Sequence, residues 1–128
     1  MSKTSIKAKL AMMQEFAKFM DNGSQSSTVI FYEGTQPTSP AVAADHTKAL
    51  VTLTLPEPCI KDVTTSYVEL HPSDTATVTK TGTATWARIF NGAGEVAADL
   101  TVGTDITLAN TNLVVGGTLN IQSIKLRP

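Results

Sequence analysis

His46, His71 and Cys59 are the whole supply of soft metal ligands and neutral-pH bases in this 128-residue chain. Glu69 and His71 stand two residues apart, so on a strand they project from one face, where a carboxylate can orient an imidazole as a general base. Asp45-His46 brings the same two groups together in adjacent positions. A base alone does nothing, however, and no serine or cysteine nearby has the context of an activated nucleophile. No C-x-x-C, H-x-x-x-H or H-E-x-x-H spacing occurs, which argues against zinc. Asp99, Asp105 and Asn110 lack the spacing of a calcium loop and read as turn residues. Both His pairs read as surface polar groups. Cys59 has no second cysteine to bridge and reads as a buried thiol in a reducing compartment.

Gly92-Ala93-Gly94-Glu95-Val96-Ala97 formally satisfies the dinucleotide fingerprint G-x-G-x-x-G/A. That chemistry needs a helix whose N-terminus faces a pyrophosphate, followed by an acid about 20 residues on. Val96 to Val102 is β-like and Gly103 ends it, so the match is accidental. Trp86, the one tryptophan, would suit a sugar-binding platform. Such platforms want several aromatics, and Phe, Trp and Tyr make up only 5% of the chain. Trp86 and Phe90 are therefore read as core anchors. No cofactor, metal site or catalytic residue is expected, and an enzyme is the least favoured class.

The elements that carry these residues are mostly strands. Twenty threonines favour extended structure, and 83–90 alternates with a period of two. Asn91 to Gly94 supplies a turn, and 95–102 reads as the returning strand of a hairpin. Further strands are expected at 28–33, 48–55, 63–70, 76–80, 105–109, 113–115 and 118–126, separated by Gly, Pro, Asn and Asp signals. No second helix intervenes to make a parallel crossover. The pattern predicts one all-β domain at 23–128, a β-sandwich of jelly-roll-like type. The stretch 34–46 is the longest loop.

Residues 1–22 form a separate helix and arm. Ile6, Leu10, Met13, Ala17 and Met20 recur at helical spacing, Phe16 widens the stripe, and Asp21-Asn22-Gly23 stops it. Residues 1–20 carry four lysines against one acid, whereas 21–124 carry ten acids against four bases. A basic helix on an acidic body suits contact with an acidic surface. The apolar stripe is wider than a lid requires, which predicts a homo-dimer or homo-trimer with Lys7, Leu10, Met13, Phe16 and Met20 at the contact. Gln36 and Pro37, on the long loop, are expected to join that interface. The acidic body offers no groove for nucleic acid. No segment is long and apolar enough to span a membrane, and the N-terminus lacks the form of a signal peptide, so the chain is expected to be kept in the cytoplasm where it is made.

Read in order, these motifs form a recognisable set. A strand runs into Gly34-Thr35-Gln36-Pro37, then L-x-T-L-x-x-P at 50–56, T-G-T-A-x-W-x-R at 81–88, a Gly hairpin, V-G-T-x-x-x-L at 102–108, and G-G-T-L at 116–119. Over roughly residues 28–127 the chain resembles a widespread family of small structural proteins of tailed phages and prophages. Residues 61–80 depart from the Ala/Gly-rich pattern of that family. The resemblance implies a non-enzymatic virion protein, made in the host bacterial cytoplasm. It points to a cement protein that decorates the capsid surface and bridges the major capsid protein. A tail or baseplate component is the alternative within the virion, and a carbohydrate-binding adhesion module is the alternative from another class.

Overall fold

The computed structural model describes residues 14–15, 18–20, 23, 25–56, 60–64, 67–106, 108, 110–121 and 124–126. It is all-β. The strands are β1 (Thr28–Tyr32), β2 (Ala49–Thr54), β3 (Ile60–Val63), β4 (Val68–Leu70), β5 (Ala76–Thr77), β6 (Gly82–Thr83), β7 (Trp86–Phe90), β8 (Val96–Thr101), β9 (Asn112–Leu113), β10 (Thr118–Leu119) and β11 (Ile124–Leu126). All strand pairs are antiparallel: a four-stranded sheet in the order β2-β1-β7-β8, a three-stranded sheet β11-β4-β3, and the pairs β10-β5 and β6-β9. The expected all-β architecture is observed. Jelly-roll connectivity, with its two four-stranded sheets, is not displayed among the described residues.

Alternation explains the main sheet. In β1, Val29 and Phe31 are buried on one face, and their partners across the ladder, Leu53, Val51, Ile89 and Ala87, face the same way. This face joins Val68, Leu70 and Ile124 of the three-stranded sheet in a single apolar core, with Val78, Leu113 and Ile121 contributed by the short strands and their flanks. Burial of such side chains is the main favourable term in folding, at about 25 cal/mol per Å² of apolar surface removed from water.

The sequence-based strand at 83–90 is interrupted. Gly82–Thr83 pairs with β9, while Trp86–Phe90 crosses into the main sheet beside β1. Two short strands joined at Ala84-Thr85 thus serve two sheets. The expected strand at 63–70 is also split, because Thr64 and Tyr67 close a turn: the Thr64 N–H donates to the Tyr67 carbonyl at 2.9 Å. Among the described residues of the stretch at 105–109, Ile106 forms a single bridge with Val102. The β7–β8 hairpin forms as expected, with its turn held by Asn91, whose Oδ1 accepts from the N–H groups of Ala93 and Glu95.

Both ends of the main sheet are guarded. At β2, the Thr79 N–H donates to the Leu50 carbonyl, while Asp74 bonds Thr54 through both its own N–H and its carboxylate. At β8, a bulge breaks the register between Ile89 and Phe90. The outward groups of Thr101 are taken by Asp105. Bulges are standard protection for a sheet edge.

Only the end of the expected N-terminal helix falls within the described residues. Residues 14–15 and 18–20 are helical, and Lys18 pairs with Glu15 one turn back, with both side chains in solvent. Met20, expected at an interface, is instead fully buried in the core of its own chain. The Met20 carbonyl accepts from the Ser27 hydroxyl, and the Phe19 carbonyl accepts from Asn91 Nδ2 at 3.1 Å. The end of the presumed arm is thus part of the body.

Candidate functional site

The face of the main sheet turned away from the core is neither polar nor bare. Tyr32 and Trp86 are directly opposite each other on β1 and β7, so their side chains share a face, and the rings stack with centroids 4.4 Å apart. Two residues on, the Arg88 guanidinium lies over the Trp86 ring at 5.3 Å. Arg88 also faces Asp99 across the β7–β8 ladder: Nε is 2.7 Å from Oδ1 and Nη2 is 3.0 Å from Oδ2. Both side chains are almost wholly buried. Fork-to-carboxylate geometry of this kind is what makes a buried charge tolerable. The hydrogen bonds that Arg88 donates to Asp99 push the Arg88 pKa up, against the opposing effect of burial.

The long loop following β1 covers part of this face. Its Gly34 carbonyl accepts from the Thr85 hydroxyl at 2.6 Å, and Gln36 Oε1 accepts from the Thr101 hydroxyl at 2.7 Å. The loop ends in a 3-10 turn at His46–Lys48 that Asp45 caps. Thr47 donates to Asp45 Oδ1 from its hydroxyl and its N–H, which holds the Asp45 carboxyl below its usual range. Between loop and sheet lies a cleft of about 310 Å³ lined by Glu33, Thr35, Pro37, Asp45, Lys48 and Trp86, among others. Glu33 is engaged by Lys80 at 2.8 Å. The cleft therefore offers one ammonium, two carboxylates already occupied by neighbours, and the apolar walls of Pro37 and Trp86. Such a recess can receive a side chain of a partner.

Trp86 and Tyr32 are 3% and 1% exposed, so neither ring presents a stacking surface to solvent. Tyr67 lies instead beneath Lys125, whose amine is 4.9 Å from its ring. These three aromatics do not form an exposed strip, and the sugar-platform reading loses the feature it would need. Tyr32 Oη and Trp86 Nε1 are buried without a hydrogen-bond partner among the described residues. Burial pushes the Tyr32 hydroxyl pKa up, with Arg88 opposing that shift.

The expected site residues fall only partly within the described residues. Lys7, Leu10, Met13 and Phe16 lie outside the described residues, as does Cys59. Gln36 is tied to Thr101, and Pro37 lines the cleft. Trp86 is buried, but on the opposite face of β7 from Ile89, and Phe90 is only half-buried. Glu69 pairs with Lys61 at 3.8 Å, and among the described residues no group of three or more His, Cys, Asp or Glu could hold a metal. No described helix is long and apolar enough to cross a membrane. Sequence reasoning missed the Arg88–Asp99 pair: strands at 83–90 and 95–102 paired in plain register put Arg88 opposite Ala97, and the register shift between Ile89 and Phe90 brings Asp99 opposite instead.

Large exposed apolar side chains are few among the described residues: Val42 on the long loop, and Val114 and Val115 on the turn between β9 and β10. No protein-family model matches the chain, and neither does any curated protein or solved structure.

Proposed function

We propose that this chain is a non-enzymatic structural protein of a tailed-phage particle, a cement protein that decorates the head and bridges major capsid subunits. The observation that carries the reading is the ordered run of motifs from Gly34 to the late G-G-T-L strand at 116–119. The architecture supports it in a general way. A small β body with guarded sheet edges resists end-to-end strand pairing, and its exposed apolar groups sit on loops and turns, where contacts with neighbours are made.

Purified particles test this directly. Emptied heads freed of tails should retain the protein in stoichiometric amounts, and isolated tails should lack it. The reverse distribution selects a tail or baseplate component. Absence from both fractions rejects a structural role in the particle.

A further inference from the structure

The turn between β9 and β10 has a chemistry that neither the core nor the turn itself requires. Val114 to Gly117 closes with the Gly117 N–H donating to the Val114 carbonyl at 2.9 Å, and Gly116 has φ +88°. Glycine in the third position is what a type II turn demands; nothing in that geometry asks for valine before it. Yet Val114 and Val115 are 61% and 59% exposed. The turn is also fixed in place. Gly116 donates to the Val78 carbonyl at 3.0 Å, Val78 donates to the Gly117 carbonyl at 2.8 Å, and the Val115 N–H donates to the Thr81 hydroxyl at 2.9 Å. Two stiff, β-branched side chains are thereby held out in water by a turn that gives up little freedom on docking.

The segment that carries this tip is uncharged. From residue 106 to residue 124 the sequence contains no Asp, Glu, Lys or Arg, and Asn110, Asn112, Thr118 and Asn120 are exposed there. The nearest charge on the anchoring segment is Lys80, and its amine is engaged by Glu33. We propose that Val114 and Val115 form a preformed knob that seats in a concave, neutral, apolar socket on a different protein. A second copy does not supply such a socket: two tips meeting head-on bury far less than the roughly 1,200 Å² at which specific interfaces begin, and the cleft beside β1 is lined by the charged Glu33, Asp45 and Lys48. Contact of this kind depends little on salt, in contrast to docking through a lysine-rich segment.

The probe is phage heads lacking the protein, which rests on the particle reading above. Labelled full-length protein is titrated onto them at about 0.05 and 0.5 M salt. If the knob docks, the folded double variant Val114→Ser/Val115→Ser binds about tenfold or more weakly at both salts, as expected for losing two anchors. Equal binding by the variant overturns the knob and leaves the particle reading intact. If the wild-type protein does not bind at all, the particle reading fails, and a photocrosslinker at position 115 in cells making the full chain decides the knob separately. One discrete adduct with a second protein, lost in Val114→Ser, supports it. An adduct with itself alone, or none, overturns it.

Discussion

Arg88 is the residue whose environment matters most to the folded state. Its charge is buried against Asp99, so removing it leaves a carboxylate with no counter-ion in a site that excludes water. Arg88→Met should destabilise the protein by about 3–5 kcal/mol, and adding Asp99→Leu should recover much of that loss. Urea denaturation of the two single variants and the double variant measures it. Tyr32 presents the opposite case, a buried hydroxyl with no partner among the described residues. Replacing it by Phe removes the cost of desolvating that hydroxyl, so stability at neutral pH should hold or rise by about 1 kcal/mol. The pH dependence follows from the sign of its shift. The folded-state pKa is raised, so the protein holds this proton more tightly when folded. The associated stability is complete below the unfolded value of about 10 and is lost as pH rises through the folded pKa. Tyr32→Phe should therefore lose less stability than wild type as pH rises above about 10, read from paired thermal melts. An equal loss in both proteins would remove Tyr32 from the alkaline transition.

Among the elements, the β7–β8 hairpin is the hub. It supplies Ala87, Ile89 and Leu100 to the core, Trp86, Arg88 and Asp99 to the opposite face, and a turn that receives the N-terminal segment. That last junction is tight. The Gln25 N–H donates to the Gly92 carbonyl at 3.3 Å, and a Cβ at Gly23 (φ +102°) would run into the Gly92–Ala93 backbone. Both the conformation and the space there belong to glycine. Gly23→Ala should lower stability by about 1–3 kcal/mol by forcing the junction apart. Faster amide exchange at Gln25 and Ala93 would locate the loss at this seam, while exchange unchanged there would place it elsewhere. The guarded edges of the main sheet also bear on assembly. Self-association through β2 or β8 would first have to displace Asp74 and Thr79, or straighten a bulge, so side chains are better placed than strands to make contacts.

At the scale of the whole molecule, the N-terminal segment cannot be treated as a detachable arm up to residue 22. Met20 is a core residue, and the carbonyls of Phe19 and Met20 are both bonded to the body. A truncation removing residues 1–17 leaves Met20 and these bonds in place. One that also removes Met20 should lose about 2–5 kcal/mol, the usual range for emptying a core site of that size. Comparing the two by thermal denaturation separates folding from attachment. Any change in particle binding shown by the shorter deletion then belongs to the segment itself. If that segment docks through its lysines, binding should weaken with salt, unlike docking through Val114 and Val115.

What the sequence determined by itself was local. Period-two alternation and threonine content specify strands, and Asn91-Gly92 specifies a hairpin. These signals are legible because each depends on neighbours a few residues apart. Tertiary structure decided which sheet each strand joins, and so which face each side chain occupies. It split 83–90 between two sheets, shifted the hairpin register so that Arg88 meets Asp99, and drew Met20 into the core. The helical stripe that contains Met20 looks the same in sequence whether it meets another subunit or the body of its own chain. The core that receives it includes Val29, Leu53, Val68 and Ile124, brought together from across the chain. Burial is a property of that assembled surface, and only the folded chain possesses it.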